Sequence, residues 1–197
     1  YGAAASNVSY SLDGGSTWST RSPASSASPL VLINLANGTT YHVRIRMVTV
    51  GGLSGASDVV PATPRTTPSA PAAPTGVAGS SSVSLSWSAP QDDGGAPISG
   101  YTVQKSTDGT TYTDQAGCTG LGVDLTCTAT GLTSGTAYTF KVAAINEAGT
   151  GRYSAASSSL TPLAATCAAG GACVVGDTGP GGGIVFYVGD FTLTSTG

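Results

Sequence analysis

The chain has 197 residues, a net charge of −3 and only 9% charged residues, where about 25% is ordinary for a soluble domain. That balance supplies no basic stripe for phosphates, so nucleic acid is excluded as an expected partner. No apolar run reaches the roughly 18–20 residues that cross a bilayer, so no membrane insertion is expected of this segment. Ser, Thr, Gly and Ala fill the places that charge would take, which points to a secreted or cell-surface setting.

Residues 1–65 read as a partial β module. Val8-Ser9-Tyr10-Ser11-Leu12 alternates as a short strand, Asp13-Gly14-Gly15 is a hairpin turn signal, and Trp18 follows it. Strands are predicted over 30–35, 41–50 and 56–60. In the longest, Tyr41, Val43, Ile45 and Met47 take the inward places behind Leu35. The two strands that would come first in a complete sandwich have no counterpart here, so an apolar face and an unpaired edge are expected to need cover from outside residues 1–65. No signal peptide is visible, and because the chain is expected to open inside a module this carries no weight. Pro64, Pro68, Pro71 and Pro74 among Thr, Ser and Ala predict a stiff, extended linker.

Residues 66–163 read as a complete module. Residues 75–78 suit a first strand, and Val83, Leu85 and Trp87 alternate with serines in a second. Tyr101 and Val103 continue inward, Asp108-Gly109 turns a hairpin, 126–130 begins another strand, and 154–160 is the last. Between them lies GLTSGTAYTFKVAAIN, residues 131–146, in which Tyr138, Phe140, Val142 and Ala144 alternate with Thr139, Lys141 and Ala143. The stretch repeats NLANGTTYHVRIRMVT at a constant offset of 97 residues, which carries Leu35 to Leu132 and Tyr41 to Tyr138. A period of about 100 is that of a whole β-sandwich, longer than a solenoid unit.

These phrases, with Asp92-Asp93-Gly94-Gly95-Ala96-Pro97-Ile98-Ser99-Gly100-Tyr101, resemble fibronectin type III domains. The resemblance implies an all-β chain of tandem immunoglobulin-like sandwiches, the first incomplete at its N-terminus. It also implies tyrosine corners at Tyr138 and Tyr41, their hydroxyls bonded to nearby backbone. Tyr41, Trp87, Tyr101, Leu132 and Tyr138 are the expected core. Integrin-binding members carry an Arg-Gly-Asp tripeptide in the loop that here reads Asn146-Glu147-Ala148-Gly149-Thr150-Gly151-Arg152-Tyr153. The tripeptide is absent, and Arg152 and Tyr153 are the candidate contact residues there.

Residues 164–197 change character. Val175 to Tyr187 is similar to a Gly-rich phrase, G-x-x-G-P-G-G-G-I-V-F-Y, that opens a module of bacterial surface proteins. A third module is therefore expected to begin here. Its glycines have no following Lys-Ser/Thr and precede a predicted strand, so they do not form a phosphate loop. The four cysteines fall in local pairs, Cys118 with Cys127 and Cys167 with Cys173. In an exported protein these read as disulfides. A zinc site is the rival, but there is no CxxC and the single histidine, His42, is far away in sequence.

No catalytic centre, cofactor or metal site is expected. Asp92 and Asp93 offer too few oxygens for calcium, and His42 falls on the outer face of its strand. Asn7-Val8-Ser9 and Asn37-Gly38-Thr39 are formal glycosylation sites. The expected function is a structural and adhesive segment of an extracellular bacterial protein, its partners being neighbouring modules, other copies of itself, or surface glycans. One alternative is a filament subunit whose tail, through Ile184, Phe186 and Val188, completes the open first sandwich of the next copy. Another is a spacer in a secreted polysaccharide-degrading enzyme, for which Trp18, Tyr112 and Tyr153 are the candidate sugar-facing aromatics.

Overall fold

A computed structural model describes residues 4–164 and the backbone of two further short strands. The described residues form strands and turns, with no helix. The chain divides into two compact units, Tyr1–Thr66 with Gly94–Ala96, and Thr67–Asp93 with Pro97–Gly197.

Unit 1 is one antiparallel sheet. It contains β1 (Ala5–Ser11), β2 (Ser19–Thr20), β3 (Tyr41–Thr49), β4 (Gly52–Leu53) and β5 (Val60–Ala62), ordered β2-β1-β3-β4 with β5 also on β3. Val8 lies opposite Met47 and Tyr10 opposite Ile45, so these four share a face. The hairpin between β1 and β2 is fastened by Asp13, whose carboxylate accepts the Thr17 N–H at 2.9 Å and hydroxyls from Thr17 and Ser11 at 2.6 and 2.7 Å.

Unit 2 is a two-layer sandwich. One sheet runs β10 (Thr126–Ala129), β7 (Ser82–Ser86), β6 (Thr75–Gly79); the other runs β12 (Gly149–Thr150), β11 (Thr139–Asn146), β8 (Gly100–Ser106), β9 (Thr113–Asp114). Alternation puts Val83, Leu85 and Trp87 of the first sheet against Tyr101, Val103, Phe140, Val142 and Ala144 of the second, with Leu132 and Tyr138 at one end. Every member of this cluster belongs to unit 2. Gly100 is required where β8 passes the loop behind it, because a Cβ there would run into the Leu121 carbonyl. The remaining strands, β13 (Cys173–Val174) and β14 (Val185–Phe186), pair antiparallel.

Three expectations need correction. Residues 30–35 are not a strand, although their exposure still alternates. In unit 2 the equivalent β10 is held by β7, and unit 1 has no such neighbour among its described residues, so 30–35 has no ladder to join. The predicted last strands, 56–60 and 154–160, are likewise not regular. Each advances three residues for every two of its partner, and serine hydroxyls fill the missing places. Ser154 and Ser157 donate N–H to the Val142 and Phe140 carbonyls at 2.8 and 2.9 Å, while their hydroxyl oxygens accept the Val142 and Phe140 N–H at 3.1 and 3.0 Å. Ser54 and Ser57 do the same for Met47 and Ile45 in unit 1. Finally, the proline stretch is not a free spacer throughout. Pro68, Pro71 and Pro74 are buried on unit 2, and Ser69 exchanges hydrogen bonds with Asp92.

The offset of 97 residues pairs Ile45 with Val142, yet Ile45 is 41% exposed and Val142 is 0%. Phe140→Ala is therefore expected to cost unit 2 about 3–5 kcal/mol, and Ile45→Ala a smaller loss of about 1–2 kcal/mol, since some two-fifths of its surface stays in water. Urea titration of the two variants checks the contrast.

Candidate binding surface

The expected core residues of unit 2 are all buried. Trp87 and Tyr101 meet with ring centroids 5.6 Å apart and planes tilted by 60°, and Leu132 and Tyr138 belong to the same buried cluster. Tyr138 accepts the Thr133 N–H at its hydroxyl, 3.2 Å, and Tyr41 accepts the Ala36 N–H at 2.9 Å. Tyr41 departs from expectation in burial. It is only half-buried and joins no closed core, because among the described residues unit 1 has no second sheet to lie over it.

Cys118 and Cys127 form a disulfide with Cα atoms 5.8 Å apart, buried at the edge of the unit 2 core. Beside it Gln115 is almost wholly buried, its amide donating to the Ala116 and Thr130 carbonyls at 2.8 and 3.0 Å while its Oε1 has no protein partner. Nothing in the sequence pattern marks Gln115. The serine pairs were legible only as a three-residue spacing. Cys167, Ile184 and Val188 lie outside the described residues, as do the side chains of Cys173 and Phe186, and so do the second disulfide and the donor tail.

The outer face of β8, β9 and β11 is polar and aromatic. Asp114, Gln104 and Lys141 form one cross-strand row, with Gln104 Nε2 donating to Asp114 at 3.0 Å. The Lys141 ammonium sits 4.0 Å from the centre of the Tyr112 ring, whose hydroxyl pairs with Thr139 at 3.1 Å. Tyr153 is half-buried here and engages Thr102 and Gln104. Burial first, and then the Asp114 carboxylate, push its hydroxyl above the ordinary tyrosine range. Arg152 beside it is exposed. In unit 1 the same device recurs, with the Arg46 guanidinium 4.0 Å from the centre of the Trp18 ring. These aromatics are partnered by cations or hydroxyls of their own unit, and together they make no bare row for a sugar to stack on.

The other candidates offer little chemistry. His42 is exposed at the start of β3, and the carboxylate of nearby Asp13 is engaged by Thr17 and Ser11, which hold it well below the usual carboxylate range. The loop of Asp92 and Asp93 is bound at its backbone by Ser69 and by the Asn146 side chain, which donates to the Asp93 carbonyl at 2.7 Å. Among the described residues no three His, Cys, Asp or Glu side chains could share a metal ion. A shallow depression over β6, β7 and β10 is lined by Val77 and by Ser84, Ser86, Thr126 and Thr128, whose hydroxyls bring no acid or base. Asn7 is buried, its amide donating to the Arg21 carbonyl at 3.1 Å, whereas Asn37 is exposed. Among the described residues no helix is long and apolar enough to cross a membrane.

Residues 69–159 match the family model of the Fibronectin type III domain, a module type whose members are usually non-catalytic and mediate protein interactions. The chain is 32% identical over 120 residues to Fibronectin type-III domain-containing protein 3a of Gallus gallus, covering 59% of this chain and 10% of that protein. It is 38% identical over 97 residues to Exoglucanase B of Cellulomonas fimi, covering 48% and 8%. It thus spans about a tenth or less of the length of these relatives. A crystal structure of domains from titin superposes with a TM-score of 0.55 at 18% identity over 79% of this chain and 54% of that one, a likeness of fold.

Two tests follow. Replacing the disulfide in Cys118→Ala with Cys127→Ala should lower unit 2 stability by about 2–3 kcal/mol in the chain-entropy view of so short a loop, measured by denaturant titration. Asp108 is held far below the usual carboxylate range by the Thr110 and Thr111 backbone N–H groups, then by the Ser106 hydroxyl. A depressed folded-state value stabilises above the unfolded value of about 4 and is lost as pH falls toward the folded one. Asp108→Asn should therefore shrink the drop in Tm between neutral pH and about pH 2–3; an unchanged drop would refute this role.

Proposed function

We propose that this chain is a non-catalytic structural and adhesive segment of a secreted or cell-surface bacterial protein. Its modules are taken as residues 1–65, 66–163 and 164–197. The observation that carries the reading is the recurrence of one scaffold at a 97-residue offset, with the same tyrosine-to-backbone bond and the same serine-supported edge in each copy. What recurs is packing and backbone satisfaction, the parts that set shape and spacing. The charge-poor hydroxyl surface and the buried disulfide suit an oxidising exterior.

A second reading is favoured by one specific likeness. The match to Exoglucanase B supports a spacer within a secreted polysaccharide-degrading enzyme, whose chemistry would reside in another domain. Co-sedimentation of the chain with insoluble cellulose, chitin and xylan separates the two. The structural reading predicts that the chain stays in solution with each polymer and turns none of them over. Retention abolished by Tyr112→Ala or Tyr153→Ala would instead assign a sugar-binding role to the outer face of β8 and β11.

A further inference from the structure

The outward side of the unit 1 sheet carries charge that the sheet itself does not use. Tyr1–Thr66 hold four of the chain's seven Arg and Lys residues but two of its ten acids, a net of +2 against −5 for the rest. Alternation along β3 puts His42, Arg44 and Arg46 on one face, each about 6.6–6.8 Å from the next. Opposite Arg44 and Arg46 on β1 stand Ser11 and Ser9, both buried. Asp13, bridged to His42, engages its carboxylate with Thr17 and Ser11. Among the described residues neither Arg44 nor Arg46 has a carboxylate partner.

Both guanidinium groups are nevertheless held in place. Arg46 lies 4.0 Å from the centre of the Trp18 ring, and Trp18 is itself fixed by its Nε1, which donates to the Gly15 carbonyl at 3.0 Å. Arg44 donates from Nε to the Ser57 carbonyl at 2.7 Å and from Nη1 to the Gly14 carbonyl at 3.5 Å. Gly15 joins the two groups, since a Cβ there would meet Arg44 Nη1 at 3.3 Å and the Trp18 ring at 3.7 Å. Of the Arg46 nitrogens only Nε is closed off from solvent without a partner, so both Nη groups stay open to an acceptor. Much of the rotamer freedom that a long cationic side chain loses on binding is therefore already lost in the free protein.

We propose that Arg44 and Arg46, aimed by Trp18, form a binding site for an acidic polysaccharide whose sugars carry carboxylates. A planar carboxylate meets the guanidinium fork with two parallel N–H donors, a match that a neutral sugar or a lysine ammonium does not reproduce. Trp18 stacks no sugar in this arrangement, because its ring carries Arg46. Beside the arginines stand Ser9, Ser11 and His42, so a peptide finds no free aromatic anchor of the hot-spot kind there. Single exposed charge contacts are weak, and a polymer of evenly spaced uronates supplies the repetition that turns them into affinity. The site gives the adhesive part of the function proposed above its ligand class, and rests on that reading.

The test is calorimetric titration of the full chain with soluble polygalacturonate at low ionic strength, with dextran, dextran sulfate and polyglutamate for comparison. The proposal expects saturable binding of polygalacturonate that weakens with added salt, and no binding of dextran. Arg44→Gln with Arg46→Gln should weaken it by about tenfold or more, and so should Arg44→Lys with Arg46→Lys, which keeps the charge and loses the fork. Lys105→Gln, which removes a charge from unit 2, should leave affinity within about twofold. Urea titration checks that each variant is folded. Full binding by the lysine variant would overturn the site, because charge alone would then suffice, and so would equal weakening by Lys105→Gln. Tighter binding of polyglutamate or dextran sulfate would assign the arginines to an acidic peptide or a sulfated polymer and overturn it as well. Failure to bind polygalacturonate would overturn the site alone, since the structural reading is judged on the neutral polymers.

Discussion

A sheet with one apolar side closes a core only if that side is covered, and this single requirement separates the two halves of the chain. In unit 2 the inward residues of β8 and β11 meet a second sheet, and Phe140, Val142, Val103 and Ala144 leave water completely. Burying the phenylalanine and valine side chains among them stabilises by about 1.5–3 kcal/mol each. Among the described residues of unit 1 the same alternation produces a sheet and no enclosed core. The backbone pairing of β1 with β3 is as regular as that of β8 with β11, apart from one bulge between Ala5 and Asn7. Regular pairing therefore does not require the cover, but a closed core does.

Around that constraint the chain solves its edges with hydroxyls. Serines at 54, 57, 154 and 157 let an irregular final segment satisfy the backbone of the neighbouring strand, each hydroxyl accepting an N–H that a regular strand would have met with a carbonyl. Asp13 and Asp108 organise equivalent turns with their carboxylates. A composition rich in Ser and Thr and poor in charge thus serves backbone satisfaction as well as surface solvation.

Much of this was legible in the chain. The strict alternation of Tyr138, Phe140, Val142 and Ala144, and its copy 97 residues earlier, located the two longest strands and, in β11, the face that is buried. Local cysteine spacing picked out Cys118 and Cys127, which the fold brings together. What was not legible depended on neighbours. Residues 30–35 have strand periodicity but no strand beside them. Pro68, Pro71 and Pro74 have linker composition yet pack onto unit 2. The segments holding the serine pairs looked like ordinary strands, because their three-for-two stagger is set by the partner strand and not by local preference. Trp18, Tyr112 and Tyr153 were visible as aromatics, but only the fold shows that cations and hydroxyls of their own unit already occupy them.

The functional reading follows from where the molecule places its order. Its best-satisfied features are backbone bonds, a buried disulfide and an apolar core, and its polar side chains are largely bound to one another or to the main chain. Native-state hydrogen exchange on the unaltered chain, resolved by residue across denaturant, tests the central claim most directly. The account predicts that the amides of β11 open only with global unfolding of unit 2, while those of β3 exchange through separate, lower-energy openings. Equal protection of β3 and β11, lost in a single cooperative step, would contradict it.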